Sequence, residues 1–409
     1  MKRYLQDLDD GKELSPDHRQ ELEAYLQSPY REPARRWNQA LPLDDAPFVE
    51  IWETWEMESR GAQSKDPRGV GKSPGALEVL REHLPQLSFP IREGISQTPA
   101  YRSATLAGNP SSAFPEAIGL SLERPEEVRL ILHSSLAGRI PYLQVPHRPD
   151  FVRLVQALAR RNEPVPVPAA QGAAAVAGYN NWARIWQHRE RWESLPPEQR
   201  ANPSWREEMV SLRPRKELYQ DTFLILSRGP YSGVDAADLG LDEGRWLDLS
   251  LRIRLEHEAT HCFTRRALGG MRNNLLDELL ADYAGLRAAT GRFPADWFLH
   301  CLGLGAEDES PRSGARVEIY RGDPPLSDPS FAALLELVRR AARQVERFAA
   351  ELPQPDPEEL PAHLGRELVA LAQHRLDELA AENGAERLRE SYKGLASVVG
   401  TAEARTDSS

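Results

Sequence analysis

The stretch LEHEATHCFTRRALGGMRNNLLDELLADYAGL, residues 255–286, predicts two consecutive helices joined by a turn. Within residues 246–268, Leu247, Leu251 and Leu255 lie at four-residue intervals, the spacing of one helix face, and Gly269-Gly270 ends the predicted helix. A second helix is predicted between the capping pair Asn273-Asn274 and Gly291. These two predicted helices carry the most distinctive polar side chains of the chain.

The first helix carries two histidines at a spacing suited to a metal ion. His257 and His261 lie one turn apart on the same face. At this spacing two imidazole nitrogens can reach one zinc ion at about 2.0–2.1 Å. Glu258 is rotated by roughly 100° from His257, so it can reach a water molecule beside the metal instead. The metzincin pattern fails, because Thr264 and Ala267 stand where it needs Gly and His.

The second helix supplies two carboxylates, Glu278 and Asp282, which lie one turn apart. Zinc sites favour a carboxylate ligand together with an acid that accepts a hydrogen bond from a ligand imidazole. The order H-E-A-T-H, sixteen residues, then E-L-L-A-D is similar to the gluzincin metallopeptidases, the thermolysin-like enzymes. In that family H-E-x-x-H is completed by E-x-x-x-D on the following helix.

The resemblance implies a role for each matched residue. It implies that His257, His261 and Glu278 bind one Zn²⁺ per chain, and that Glu258 is the general base that activates a zinc-bound water. Asp282 would be the hydrogen-bond partner of a ligand histidine, His257. The implied activity is hydrolysis of a peptide or protein substrate. The family's substrate-binding strand would correspond to DTFLILSRG, residues 221–229.

Alternatives stay open at the level of sequence. Arg316 and Tyr320, in SGARVEIYRG, have the spacing to place a guanidinium and a phenol in one cleft, or they lie on an exposed helical turn. A non-hydrolytic zinc-binding protein with a regulatory or interaction role is the alternative function. Peptide deformylase is disfavoured, because its cysteine ligand precedes H-E-x-x-H, whereas Cys262 and Cys301 follow His257.

The chain is predicted to be an α+β protein with four regions. Residues 1–87 form a polar, partly helical region with a linker, and residues 88–250 form an α+β region that holds the candidate substrate-side strand. Residues 251–325 hold the zinc-binding helices, and residues 326–409 form a mostly helical region with a disordered tail, TAEARTDSS. No other histidine of the C-terminal half is predicted to act in catalysis; these residues are His300, His363 and His374.

Several elements are predicted individually. Ser15 caps a helix that starts at Pro16. An amphipathic helix spans 150–161. The Ala/Gly-rich segment 169–182 is interpreted as tight packing, with backbone contact to a ligand as the alternative. The candidate strands are 117–122, 127–136 and 221–234.

Composition limits the classes of function. The 409 residues have 62 acidic and 51 basic side chains, a formal net charge of −11, and no long Lys/Arg block. We therefore predict no nucleic-acid partner, because phosphate binding needs concentrated positive charge. No run of about 18 apolar residues occurs, which predicts no membrane partner. Two cysteines, Cys262 and Cys301, and an N-terminus without an apolar signal segment indicate a cytoplasmic protein.

One motif is interpreted as a chance match to a phosphate-binding loop. GVGKS at 69–73 resembles a phosphate-binding loop, but Asp66 stands where the loop needs glycine and Pro74 follows directly. The surrounding segment, residues 57–76, is rich in Gly, Ser, Lys and Pro. We interpret it as an exposed linker.

Overall fold

A computed structural model of the chain describes residues 14–61, 75–270, 274–305, 311–312, 314–353 and 360–395. Within these ranges the protein has the predicted α+β fold, and the structure shows fifteen α-helices and a four-stranded sheet. The helices are α1 (Pro16–Tyr25), α2 (Arg31–Arg35), α3 (Val49–Gly61), α4 (Ala76–His83), α5 (Pro99–Ala107), α6 (Arg148–Ala159), α7 (Trp182–Ser194), α8 (Trp205–Leu212), α9 (Glu243–Ala267), α10 (Leu275–Thr290), α11 (Ala295–Leu302), α12 (Asp328–Ala350), α13 (Leu360–Ala372), α14 (Leu376–Leu379) and α15 (Gly384–Gly394). The strands are β1 (Arg129–Ser135), β2 (Gly138–Val145), β3 (Ala173–Asn180) and β4 (Gln220–Ser227).

The chain divides into two compact units. Unit 1 comprises Met1–Asp44, Ser135–Ala137 and Pro230–Ser409, and unit 2 comprises Asp45–Ser134 and Gly138–Gly229. The sheet belongs to unit 2. The two helices with the predicted metal ligands, α9 and α10, belong to unit 1.

The sheet of unit 2 has the strand order β1-β2-β4-β3. β4 pairs in parallel with β2 and antiparallel with β3, with Leu224 opposite Tyr142 and Ile225 opposite Ala174. Its residues 223–226 are fully buried. The segment predicted as a substrate-side strand is thus an interior strand, and both edges of its backbone are occupied by other strands.

Helices α3, α4 and α6 contribute the other half of the unit 2 core. Trp52, Leu80, Phe151 and Phe223 belong to one cluster of buried side chains. The helix predicted at 150–161 is confirmed as α6. Its apolar side chains recur on one face, which explains why the sequence predicts it correctly.

Two expectations for unit 2 are wrong. Residues 117–122 form no strand: the amides of Gly119 and Leu120 donate to the carbonyl oxygens of Ser88 and Leu87 instead, at 2.8 and 2.9 Å. The predicted linker is wrong for residues 57–61, which form the last turns of α3, where Arg60 pairs with Glu56 at 2.6 Å. The other candidate strands are confirmed as β1 and β4, although β4 ends at Ser227.

Unit 1 is helical in its described parts, as predicted for the C-terminal region. Ser15 caps α1 and Pro16 is its first residue, as expected. The hydroxyl of Tyr25, at the end of α1, donates to the carbonyl of Tyr320 at 2.8 Å and accepts from the amide of Leu275 at 2.9 Å. The N-terminal segment therefore supports the first turn of α10.

Buried polar contacts join α10 to α13. Arg287 pairs with Glu367 at 3.2 Å, and Tyr283 donates to the same carboxylate at 2.8 Å. A buried charge is tolerated where it is paired in this way. These contacts hold the face of α10 that carries Tyr283 and Arg287 against α13.

None of the helices in the described ranges is both long and apolar enough to span a lipid bilayer. The GVGKS segment, most of the predicted linker and the predicted disordered tail lie outside the described residues.

Candidate metal centre

Helices α9 and α10 pack against each other in unit 1, and Gly285 allows their close approach. A Cβ atom at Gly285 would lie 2.6 Å from the carbonyl oxygen of Ile253, nearer than real Cβ atoms come. The cap of α10 is Asn274, whose side chain accepts from the amide of Asp277 at 3.1 Å, and the helix ends at Gly291 with φ 75°. Asn273, the other predicted cap, lies outside the described residues.

The three predicted ligands converge. The Nε2 atoms of His257 and His261 are 3.1 Å apart, and each lies 3.6 Å from a carboxylate oxygen of Glu278. Tetrahedral zinc with bonds of about 2.0–2.1 Å requires ligand atoms about 3.4 Å apart. All three residues are buried, and together they can hold a metal ion. The donor set, two imidazoles and a carboxylate, is one that divalent metals accept.

The second nitrogen of His257 is held by Asp282. Nδ1 lies 2.7 Å from Oδ1 of Asp282, which directs Nε2 toward His261 and Glu278. The hydroxyl of Tyr231 also contacts this carboxylate oxygen and lies 2.9 Å from Nδ1. The prediction that Asp282 accepts from His257 therefore agrees with the observed contacts.

Arg316 lies in the same cluster. Its guanidinium contacts Glu278, lies 3.1 Å from Oδ2 of Asp282, and donates through Nε to the hydroxyl of Tyr320 at 3.3 Å. It also donates to the hydroxyls of Tyr231 and Ser232, at 3.2 and 3.1 Å. Arg316 and Tyr320 are both well covered, so the alternative of an exposed helical turn is wrong for these two residues.

The protonation states of the two carboxylates and of His261 suit a cation site. For His257, burial is outweighed by Asp282 and Glu278, which raise the pKa, so a metal ion would have to displace a proton there. Burial opposes ionisation of Glu278, but Arg316, His257 and His261 outweigh it and lower the pKa of this carboxyl. Burial and the neighbouring His257 lower the pKa of His261 to about 4, so its ring is neutral at pH 7. Asp282 has a lowered pKa for the same reason as Glu278, since Arg316 and His257 outweigh its burial.

Glu258 differs from the other two carboxylates. It is partly exposed, and among the described residues it receives no hydrogen bond. Burial of the carboxyl group and the charge of Glu278 raise its pKa, against the opposing effects of His257, Arg316 and Arg254. A carboxylate with a raised pKa beside a candidate metal site can accept and return a proton.

The remaining candidates are not part of the ligand group on α9 and α10, although the thiol of Cys301 lies near enough to Asp282 and Arg316 to feel their charges. Cys262 is buried, as expected for a small apolar residue, and Cys301 is also a buried free thiol. His300 lies 2.9 Å from Arg312 and 3.4 Å from Asp238. Among the described residues, the only three-residue group with metal-ligating atoms close together is the one on α9 and α10.

One known family matches most of the chain. The chain belongs to the family of unknown function DUF7005. The family model matches residues 10–383, which include all of unit 2, most of unit 1 and every residue of the candidate centre. A comparison with curated proteins and one with solved structures found no match.

Sequence reasoning missed Tyr231. The residue lies in GPYSGV, at the end of the strand predicted over 221–234. In the structure it instead belongs to a short 3₁₀ turn, Tyr231–Gly233. The Gly and Pro that precede it indicated a chain reversal. No spacing rule connects it to α10, because its contact with Asp282 spans 51 residues.

Proposed function

We propose that the chain is a zinc-dependent hydrolase of peptide bonds, similar in its centre to the gluzincin metallopeptidases. The observation that carries the proposal is the convergence of His257, His261 and Glu278, together with the hydrogen bond of Asp282 to the other nitrogen of His257. A zinc ion bound by these residues would lower the pKa of water toward about 7 and polarise a carbonyl oxygen. The proposed substrate is a peptide or protein.

Glu258 is the proposed general base. Its position directly after His257 turns it away from the ligand face while keeping it on the same turn of α9. It takes a proton from the attacking water and delivers that proton to the leaving amine. Its raised pKa favours this return step, because a carboxyl group of higher pKa holds the proton more readily.

Arg316 and Tyr320 have different proposed roles. The guanidinium already donates to Glu278, Asp282 and neighbouring hydroxyls, so Arg316 holds the two carboxylates in their ionised forms. Tyr320 accepts from Nε of Arg316, a contact that strengthens the phenol as a hydrogen-bond donor. We assign Tyr320 as the donor to the carbonyl oxygen as that oxygen gains negative charge.

We propose a cytoplasmic location and an intracellular peptide or a single dedicated protein as the substrate. Cys262 and Cys301 are both free and buried, which fits a reducing compartment. The net charge of −11 offers no general attraction for nucleic acid.

The test is metal content by mass spectrometry, combined with cleavage of a peptide library, on protein purified without chelator. The variants are Glu258→Gln and Glu278→Ala. We expect about one zinc per chain in the wild type and in Glu258→Gln, and little in Glu278→Ala, since zinc needs its third protein ligand. Cleavage by Glu258→Gln should fall about 10²–10⁴-fold, the usual contribution of a general base.

Glu243→Gln is the matched control, because Glu243 is an exposed carboxylate in the first turn of the same helix. It should keep both zinc and activity. Zinc in the wild type without any cleavage would favour the non-hydrolytic regulatory alternative. Full activity of zinc-loaded Glu258→Gln would contradict the assignment of the base, and no zinc in the wild type would contradict the proposed function.

A further inference from the structure

Hydrogen bonds hold the turn Pro230–Val234 along one face of α9. Trp246 donates through Nε1 to the carbonyl of Val234 at 2.7 Å, and the hydroxyl of Ser250 accepts from the amide of Tyr231 at 2.9 Å. Arg254 donates to the carbonyl of Pro230 at 3.2 Å. These three side chains are spaced four residues apart, so the turn follows α9 toward the turn that carries the metal ligands.

The backbone of this turn is held in an uncommon conformation. Ser232 has φ 53°, a left-handed value that side-chain-bearing residues adopt infrequently. Such a conformation persists where the surroundings fix it, and here Arg316 donates to the Ser232 hydroxyl at 3.1 Å. The consequence is that the ring of Tyr231 is buried beside His257, with ring centroids 6.0 Å apart.

The hydroxyl of Tyr231 has a defined place in the hydrogen-bond network. It donates to Oδ1 of Asp282, the oxygen that also accepts from Nδ1 of His257, and it accepts from Arg316 at 3.2 Å. Donor and acceptor capacities of the phenol are therefore both used. The hydroxyl therefore contacts the carboxylate oxygen that also holds His257, while Arg316 bonds to the same carboxylate at 3.1 Å.

His261 provides the contrast. Its Nδ1 is buried and has no hydrogen-bond partner among the described residues. His257 is thus the ligand whose ring orientation the protein fixes by hydrogen bonds. A metal ligand oriented in this way binds more tightly, because less freedom is lost when the ion binds.

We propose that Tyr231 is a positioning residue of the metal centre, which couples the turn at 230–234 to the ligand His257 through Asp282. The inference rests on the proposed function, because it assumes that the centre binds zinc. Tyr231 does not act on the substrate in this assignment. Its effect is on the geometry and affinity of the metal site.

The test compares two buried tyrosines that each donate to a buried carboxylate of unit 1. Tyr231→Phe removes the bond to Asp282. Tyr283→Phe removes the 2.8 Å bond to Glu367 on α13, which has no hydrogen bond to the candidate ligands among the contacts described above. We expect the zinc Kd, measured by chelator competition, to rise about 10–100-fold in Tyr231→Phe and to stay at the wild-type value in Tyr283→Phe. Both variants should lose a similar amount of metal-free stability.

A spectroscopic readout separates positioning from general destabilisation. The visible absorption of the Co²⁺-loaded protein depends on ligand geometry, so its bands should change in Tyr231→Phe and not in Tyr283→Phe. If Tyr231→Phe does not fold, Ser250→Ala loosens the same turn without touching the network. It should also raise the zinc Kd, by a smaller factor.

The outcomes distinguish the two proposals. A wild-type chain that binds zinc, with an unchanged Kd and unchanged Co²⁺ spectrum in Tyr231→Phe, would overturn the role of Tyr231 and leave the proposed function standing. If Ser250→Ala is the variant used, an unchanged Kd carries the same meaning. A wild-type chain that binds no zinc would overturn both proposals.

Discussion

Two buried carboxylates and one guanidinium determine the charge of the centre. Glu278 and Asp282 are both buried on α10, and Arg316 contacts each of them. The guanidinium offsets one of the two negative charges. Burial opposes a positive charge on His257, but Asp282 and Glu278 outweigh it and raise the pKa of this ring, so the remaining negative charge attracts a second cation, either a proton or a metal ion. A buried charge without compensation is unfavourable, so the composition of the cluster favours occupation by a cation.

At this scale the most informative change is Asp282→Asn. Asparagine keeps the shape of the side chain but removes the charge and turns one acceptor into a donor. His257 then loses its anionic partner, and we expect the zinc Kd to rise about 10–100-fold in a chelator competition assay. Asp277→Asn is the control, because Asp277 is buried on the same helix but contacts Tyr30. The control should lower the melting temperature without changing zinc affinity; an equal Kd in the two variants would argue against the role of Asp282.

Helix α10 serves packing and chemistry together. All residues from Leu275 to Ala288 are buried, so the helix is enclosed on every side by the rest of unit 1. The face of α10 that carries Glu278 is directed toward α9. Another face carries Arg287, which forms a buried ion pair with Glu367 on α13. The separation of α9 and α10 therefore controls whether the two histidines and Glu278 can share one ion.

Gly285→Ala tests this dependence. The added methyl group would meet the carbonyl oxygen of Ile253 at 2.6 Å, so the helices must separate. Overpacking of this kind costs about 1–3 kcal/mol of folding free energy, and a wider gap should also weaken zinc binding. Gly244→Ala on α9 is the control, since its nearest atom, 3.5 Å away, is a side-chain oxygen of Asp242. Denaturant unfolding measures the loss of stability, and zinc titration measures the loss of affinity. If Gly285→Ala were as stable as the wild type, the contact between α9 and α10 at Gly285 would not be tight.

Across the whole chain, local patterns account for what the sequence predicts correctly. The caps Ser15 and Asn274 act on amides within the next turn, and the four-residue spacing of His257 and His261 follows from helix geometry alone. The candidate ligand Glu278 could be predicted because its helix follows α9 directly and carries the recognisable order E-L-L-A-D. The α+β class follows from the apolar patterns of β1, β4 and α6.

Contacts between distant segments explain what was missed. Arg316 contacts Glu278 across 38 residues, and nothing in its own segment excludes an exposed turn. The strand predicted at 117–122 has suitable residues, but its amides bond to a nearby 3₁₀ turn. Periodicity reports which residues prefer to be buried, and it does not report the partner that buries them.

The stability of unit 1 should depend on pH through His374. Its Nε2 atom lies 2.9 Å from the hydroxyl of Ser391, and its side chain is buried between α13 and α15. Burial lowers its pKa from the ordinary 6.5 to about 4, opposed by the charge of Glu378. The other charged groups that act on this ring, all in the lowering direction, are Arg31, Arg35 and Arg387.

A lowered histidine pKa means that the unfolded chain binds this proton more tightly than the folded chain. Stability is therefore unaffected by His374 well above pH 6.5 and decreases as the pH falls from 6.5 toward 4, by up to about 1.4 kcal/mol per pH unit. His374→Gln keeps a polar side chain that can bond to Ser391 and does not titrate. In urea unfolding at pH 7 and pH 5, the stability of the wild type relative to this variant should fall by up to about 2 kcal/mol. Parallel stability curves for the two proteins would mean that His374 is protonated equally in the folded and unfolded chain.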